Sequence, residues 1–561
     1  MKLAVRVAAL AAVLLVGFYY RWQVRAAGNE IVWGEDLPGY YNYLTRGLTG
    51  GHLYLPLEPA AELLAKPNPW DPAVDNSLKL YDAVLFERRY YLYHGIGPAL
   101  MAFLPWRLAT GRDLPENAAI LGFCFVGYLF AAGTLAGILR AAGTKQHPAA
   151  VFAAYLALGV CQCVPFLLNR VWVDEVAIAA GYCCVSAGLF FLCRYLYSKR
   201  LLWLIPAGLF FGLAIACRPH LGLFGACAMA LALWRDRLRG ALRFATPFAV
   251  VCLGVCLYNY QRFHDPFEFG TRYLLGGANQ TEVHLKTSNV ANGLSFLLTL
   301  PPEVDPIFPW FHARPRPLDL PATYTLEPII GAIFLAPFLL ALVVGARAGP
   351  GLSILWLMTL SGAGIVAFLS ATGWSVQRYQ VDFLPHFALV ALVCALTRWP
   401  GWATVLLIVP GMAVSLALGI TGPYNEMLRN KPARFVRIAG WFSPVERFRP
   451  QLNPLMWATF DRPPERPEGT KEILITAGPA VAKYQLTFLQ VMGKPTLVSE
   501  YGMFGVSKIT RELPPATGTL QLQAAYSSVD GTMRVRQNGA LVVEHKFGPF
   551  VSAPSEMTTA R

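Results

Sequence analysis

VAIAAGYCCVSAGLFFLCRYL, residues 176–196, decides the fold class. A helix needs about 20 consecutive apolar residues to cross the hydrocarbon core of a bilayer, and this stretch supplies them. Asp174-Glu175 precede it, and Lys199-Arg200 follow it. Working outward, the same pattern recurs at 3–20, 118–139, 149–168, 201–217, 221–234, 241–258, 328–346, 352–370, 383–397 and 402–421. Of these, 221–234 and 383–397 are short. The stretch 95–109 is also short, carries Pro98 and Pro105, and reads as a half-span. Met1-Lys2 before 3–20 resembles the start of a secretory signal. The spans that follow and the poor cleavage-site pattern favour a retained anchor. The chain is 55% hydrophobic and only 14% charged, where soluble proteins carry about a quarter charged residues. The expectation is a polytopic α-helical membrane domain over 1–422, with about 11–13 spans.

Charge placement orients the spans. Arg140 with Lys145, Arg194 with Lys199-Arg200, the group Arg235, Arg237, Arg239 and Arg243, Arg347, and Arg398 mark basic turns. The positive-inside rule puts these in the cytoplasm, with the N-terminus. The segments 170–175, 260–324 and 374–382, and everything after Thr421, then face outward from a bacterial-type inner (plasma) membrane. A full crossing at 95–109 would invert every later loop; a re-entrant 95–109 leaves the set consistent. The same rule accounts for the formal net charge of +14, so nucleic acid is not an expected partner. All 11 cysteines fall between Cys124 and Cys394. Cys161-Gln162-Cys163 and Cys183-Cys184 have no partner pair at zinc spacing, and the thiols read as small apolar packers.

The composition changes after Tyr424. Pro463-Pro464 and Pro467 mark 423–470 as a linker. Within 471–561, short alternating runs at 472–476, 484–490, 519–525, 533–537 and 541–545 read as strands. Asp530-Gly531 and Asn538-Gly539 sit between such runs and suit type I′ hairpin turns. The expectation is a small all-β, sandwich-like domain outside the cytoplasm, serving as a lid, a packing domain or a sugar-binding module.

Chemistry concentrates where spans meet the outer face. The first outward loop, 21–94, contains Trp33-Gly34-Glu35-Asp36-Leu37-Pro38-Gly39-Tyr40-Tyr41. Trp and Tyr favour the headgroup level. A carboxylate there can meet both a lipid headgroup and an aqueous acceptor, so Asp36 is the first candidate acid, with Glu35 beside it. Asp36 would also cap a helix starting at Leu37-Pro38, and the acidic pair could equally hold a divalent metal ion or none. The loop ends at Glu87-Arg88-Arg89-Tyr90-Tyr91-Leu92-Tyr93-His94-Gly95. Arginine binds phosphate bidentately, while snorkelling arginine in an aromatic belt is the plain alternative. Asn169-Arg170 with Asp174-Glu175, Arg218-Pro219-His220, and Gln377-Arg378 with Asp382 lie at further span ends. Ionisable groups at membrane depth are costly and usually face a cavity; of these, Arg218 stands out. Cations suit a phosphate on a lipid, and an acid suits deprotonating a hydroxyl. A lipid phosphate is already a good leaving group, so one base plus cationic stabilisation suffices.

This layout resembles the polytopic glycosyltransferases of the GT-C superfamily, in the branch with bacterial lipid A aminoarabinose transferases and protein O-mannosyltransferases. The resemblance rests on Asp36 after the first span, on the Tyr-rich 90–111 ending Trp106-Arg107-Leu108-Ala109-Thr110-Gly111, on Arg170 and Asp174 at an outer turn, and on the closing β-rich tail. It covers roughly residues 1–422. It implies an enzyme that moves a sugar from a polyprenyl-phosphate carrier to a hydroxyl of a glycan, lipid or protein. Asp36 would be the base. Arg88, Arg89, His94, Arg170, Arg218 and Arg378 would meet the donor phosphate, and Tyr40, Tyr91, Asp174, His220 and Asp382 the sugar or the acceptor. The family often shows His-Pro-Pro at the end of this loop, where this chain has His94-Gly95-Ile96-Gly97-Pro98, which leaves the role of His94 open. The rival readings are a flippase for a lipid-linked glycan and a non-catalytic assembly subunit.

Overall fold

The computed structural model describes residues 3–71, 74–276, 285–304, 308–312, 324–345, 352–422, 426–442, 456–463, 466–477, 483–501, 507–515, 518–527, 532–546 and 558–559. Among them, seven helices are long and apolar enough to cross a membrane: Leu3–Ala26, Glu116–Ala142, Pro148–Leu167, Val173–Ser198, Pro219–Phe263, Leu352–Ala371 and Gly401–Ile420. Leu201–Cys217 and Leu384–Arg398 are shorter apolar helices. A helix that is apolar all round belongs in a large core or in lipid. Both cases occur here. Val173–Ser198 is buried along most of its length, whereas Leu3–Ala26 turns Leu10, Leu14 and Phe18 outward and buries Ala12, Val16 and Tyr20. The chain is a membrane-embedded helical protein followed by a β-sheet region.

Two expected spans, 221–234 and 241–258, form the arms of one hairpin. Gly222–Phe263 is helical throughout except at Asp236 and Arg237, whose dihedrals are non-helical. A Cβ on Gly225 would lie 2.5 Å from the ring of Phe248. In a straight helix those residues would be about 35 Å apart, so the chain doubles back at Asp236-Arg237. The second arm packs closely on Leu204–Cys217, because a Cβ at Gly208 would strike the Phe244 carbonyl. Small residues permit such backbone approach between membrane helices.

The expected span at 328–346 is not one helix. Ala332–Leu335 is α-helical, and Pro337–Val344 is a 3-10 helix. Pro337 has no N–H to donate, and Gly345 adopts a positive φ of 63°. Arg347 lies outside the described residues. The stretch 95–109 is likewise short: five residues of π-helix, Ala99–Phe103, lead into seven of α-helix, Leu104–Thr110. Together they rise about 18 Å against a core of about 30 Å. The Asn117 amide donates to the carbonyls of Asn29 (3.3 Å) and Glu30 (3.0 Å), which joins the end of the first helix to the start of Glu116–Ala142. Everything between them therefore begins and ends at the same face. Following the chain from there, the basic turns at 140–147, 199–200, 235–239 and 398–400 occupy one set of helix ends. The segments 168–172, 217–222, 263–274 and 372–383 occupy the other.

Residues 26–28, 302–317 and 417–561 form a second compact unit. Glu303–Val304 and Phe311–His312 pair as one small antiparallel ribbon, and the described strands from Met456 onward build two larger antiparallel sheets. One has the order Ser507–Glu512, Lys494–Tyr501, Tyr484–Val491, Lys471–Ala477, Thr558–Thr559; the other runs Ala540–Lys546, Thr532–Gln537, Leu520–Ser527, Met456–Arg462. Leu474, Leu486 and Phe488 from the first share a core with Phe460, Leu522 and Val535 from the second. Asn538 and Gly539 both take positive φ, 49° and 86°, between paired Gln537 and Ala540. Asp530-Gly531 and Pro464 lie outside the described residues. The stretch read as a linker contains the helices Glu426–Asn430 and Pro432–Phe442 and the strand Met456–Arg462.

Candidate functional site

The loops on the face away from the basic turns enclose a cavity of ≈ 490 Å³ within the helical unit. Each charged side chain in its wall is held by a helix end or a short turn. Asp174 sits in the first turn of Val173–Ser198, where the helix dipole favours negative charge. Its carboxylate meets Arg378 Nη2 at 3.0 Å and His94 Nε2 at 2.9 Å. Arg378 stands in the 3-10 turn Gln377–Asp382 and also pairs with Glu327. Arg170 lies over the Trp172 ring at 3.8 Å, with Nη1 3.8 Å from Glu175 and 4.0 Å from Glu327.

Arg218 and His220 follow the end of Leu204–Cys217, and Pro219 stops that helix from continuing. Both side chains converge on Asp382 Oδ2, at 3.0 and 2.9 Å. The Asp382 side chain is 1% exposed. Burial alone would raise its carboxyl; Arg218 and His220 outweigh burial and hold it below the usual carboxylate range. The Tyr379 ring lies under both Arg218 and Arg378, 5.1 and 5.6 Å from their guanidinium carbons. Gly95 explains why this chain has glycine after His94: a Cβ there would meet the Ala216 carbonyl and come within 2.6 Å of the Cys217 carbonyl. The backbone between His94 and Pro98 packs directly on the helix end that presents Arg218.

Asp82 completes the wall. It occupies a turn with φ 60°, just before the hairpin of Ala83–Phe86 and Arg89–Leu92. Its N–H donates to the Leu275 carbonyl at 2.8 Å, and Leu275 N–H donates to Ala83 at 2.9 Å, which fixes the turn. Among the described residues its carboxylate forms no ion pair. Burial and then the nearby Asp174 charge push its carboxyl up to about 6, against the opposing pull of His94, Arg378 and Arg170. The rest of the lining includes Ile96, Ile215, Val255, Leu274, Phe368 and Leu369, so a charged wall faces an apolar one.

Six expected site residues therefore line one cavity — His94, Arg170, Asp174, Arg218, His220 and Arg378 — and Asp382 stands directly behind two of them. The others lie elsewhere. Glu35 and Asp36 are exposed. The Asp36 side chain is 82% exposed, and its one ion pair among the described residues is at 3.7 Å to Arg46. Arg46 in turn is committed to buried Asp113, which also takes Arg107 at 2.6 Å and the Leu37 N–H at 2.9 Å. This clasp fixes the backbone beside Asp36 and leaves the Asp36 carboxylate at the surface. Nor does Asp36 cap a helix, since the helix starts at Tyr40 after Gly39. Arg88 and Arg89 are exposed at a two-residue turn, where Glu87 and Arg88 both have positive φ. Arg89 covers the Tyr54 ring at 4.4 Å. Tyr91 is buried in an aromatic cluster with Phe263 and Val84, and the Tyr40 hydroxyl donates to the Tyr81 carbonyl. None of these lines the cavity.

Sequence reading missed Asp82, Glu327 and Arg262. Glu327 was open to the rule that selects Asp382, being an acid directly before an apolar stretch that opens with proline. Arg262 falls in the segment 260–324 read as an outward loop, but it is a buried side chain in the last turn of a helix. No local signal separates Asp82 from the other acids of its loop. Among the described residues, no group of three or more His, Cys, Asp or Glu side chains is arranged to hold a metal ion. Set against known proteins, the sequence matches no family model, no curated protein and no solved structure.

Proposed function

We propose that this protein is an integral-membrane glycosyltransferase of GT-C type. It would move a sugar from a polyprenyl-phosphate donor to the hydroxyl of a glycan, lipid or protein acceptor. The observation that carries the reading is a cavity at the helix ends with an arginine-rich wall, an apolar wall, and one carboxylate, Asp82, left without an ion pair among the described residues. With the basic turns in the cytoplasm, the cavity opens to the outer side of a bacterial-type plasma membrane, where the β-sheet tail would also stand.

In this reading Asp82, in place of Asp36, takes the proton of the acceptor hydroxyl. The hydroxyl oxygen forms a bond to the anomeric carbon. The bond from that carbon to the phosphate oxygen breaks, and its electron pair leaves with polyprenyl phosphate. The guanidinium groups stabilise the charge that develops on the phosphate. They can do so without reorganising, because Asp174, Glu327 and Asp382 already hold Arg378 and Arg218 in place.

The test is transfer in proteoliposomes supplied with polyprenyl-phosphate sugars and a hydroxyl acceptor. Asp82→Asn is expected to lower the rate by about 10²–10⁴-fold, and Asp36→Asn to leave it nearly unchanged. Sugar-lipid that crosses the bilayer uncleaved would replace the enzyme with a flippase. A full rate in Asp82→Asn would remove the proposed base.

A further inference from the structure

We infer that Arg262 receives the donor's phosphate, an inference that rests on the lipid-phosphate reading above. Arg262 stands in the last turn of Gly222–Phe263 and lines the cavity beside Tyr258 and Asn259. It is 4% exposed. Its guanidinium lies over the Tyr258 ring at 3.9 Å. Nη1 donates to the Leu92 carbonyl at 2.8 Å, Nη2 donates to Asn259 Oδ1 at 2.7 Å, and the buried Nε has no hydrogen-bond partner.

These contacts fix the group but bring no negative charge to it. The other arginines of the cavity differ. Arg218 lies 3.0 Å from Asp382, Arg378 3.0 Å from Asp174, and Arg170 3.8 Å from Glu175. Arg262 forms no ion pair among the described residues. The two acids that follow it are engaged elsewhere: Asp265 accepts the Phe267 N–H at 2.8 Å, and Glu268 accepts the Gly270 N–H at 2.7 Å and pairs with Arg272 at 3.5 Å. A cation buried without an ion pair at the end of a membrane helix is costly, and the charge of Glu268 reaches it only through space. The protein keeps it rigid and leaves its charge to be balanced by a ligand. A phosphate ester matches the guanidinium donors, and Val255, Phe269 and Leu274 in the same lining suit the first isoprene units.

The experiment uses the full chain in detergent with geranylgeranyl phosphate as probe, and geranylgeraniol and inorganic phosphate as separate arms. Binding is read as a ligand-dependent shift in melting temperature. Wild type is expected to bind the lipid phosphate well above either control. Arg262→Gln is expected to weaken that binding at least tenfold, and Arg262→Lys, which keeps the charge but loses the fork, by less. A photoreactive group beside the phosphate of the same probe should label wild type within 255–276, a measurement that does not depend on a variant folding. Unchanged affinity in Arg262→Gln, or labelling confined to other walls, would overturn the assignment. Equal affinity for inorganic phosphate would keep Arg262 as an anion site and overturn the lipid as its source. If no phosphate probe binds wild type, the lipid-donor reading itself fails.

Discussion

Asp82 sets stability against use. Its carboxyl is pushed up to about 6 in the folded chain, while an unfolded aspartate titrates near 3.9. The folded state thus holds this proton more tightly, and the contribution to stability is full below about pH 4 and lost as pH rises through about 6. Asp82→Asn removes the charge without losing the shape. Its melting temperature is expected to match wild type at pH 4 and to exceed it at pH 8, with about 3 kcal/mol at stake. Transfer by wild type is expected to climb about tenfold per pH unit below about 6 and to level off above 7; a profile flat from pH 5 to 8 would take the base role from Asp82. Sequence alone ranks Asp36 higher, because it follows a span closely and sits among aromatics. The fold of the 21–94 loop reverses that rank. Arg46 is drawn to Asp113 and leaves Asp36 at the surface, while the 83–92 hairpin carries Asp82 into the wall. The arginines at span ends were easier to find, since the cost of burying charge at membrane depth marks them wherever the chain folds.

At the scale of elements, apolar length was legible and its interruption was not. Each long helix follows from an apolar run, or from two joined at a charged turn in Pro219–Phe263, but at 328–346 Pro337 and Gly345 split a run of the same composition into short pieces. Hairpin turns were legible where glycine announces them, as at Asn538-Gly539. They were silent at Glu87-Arg88, which adopts the same pair of positive φ values without glycine. The β-sheet unit also carries a buried polar link that no local pattern marks. His545 Nδ1 lies 2.8 Å from Ser499 Oγ, and Nε2 lies 2.7 Å from Ser507 Oγ. This joins the edge strand Ser507–Glu512 and its neighbour Lys494–Tyr501 to Ala540–Lys546, an edge of the other sheet. Burial pushes the imidazole below its ordinary value, so the unfolded chain takes up a proton first. The link is at full strength above about pH 6.5 and weakens as pH falls toward the lower folded value. Hydrogen exchange in these strands is expected to speed up between pH 7 and pH 5, after correction for intrinsic rates. His545→Gln should flatten that dependence; an unchanged slope in the variant would place the titrating group elsewhere.

For the whole molecule, the site depends on which helix ends share a side of the membrane. A crossing at 95–109 would put the cavity's loops and the basic turns in conflict with the positive-inside rule. The structure gives that stretch too little length to cross, and the Asn117 bridge to Asn29 and Glu30 returns the chain to the face it left. The hairpin at Asp236-Arg237 then restores alternation as far as Phe263, and the contacts of Arg218 and His220 with Asp382 put 372–383 at the same end as 217–222. Arg140, Arg200, Arg239 and Arg398 fall at one set of ends, and Asp82, Arg170, Arg218 and Arg378 at the other. In the proposed orientation the basic turns stay inside, while the paired charges of the cavity wall, Arg218 with Asp382 and Arg378 with Asp174 and Glu327, face outward. Fusions read this directly. Alkaline phosphatase joined after Arg112, Trp172 or Arg272 is expected to be active, and after Gly143, Lys199 or Trp399 to be inactive, with a fluorescent protein that matures only in the cytoplasm giving the mirror result. An inactive phosphatase at Arg112 beside an active one at Trp172 would mean that 95–109 crosses the bilayer after all, and the shared face on which the cavity depends would be lost.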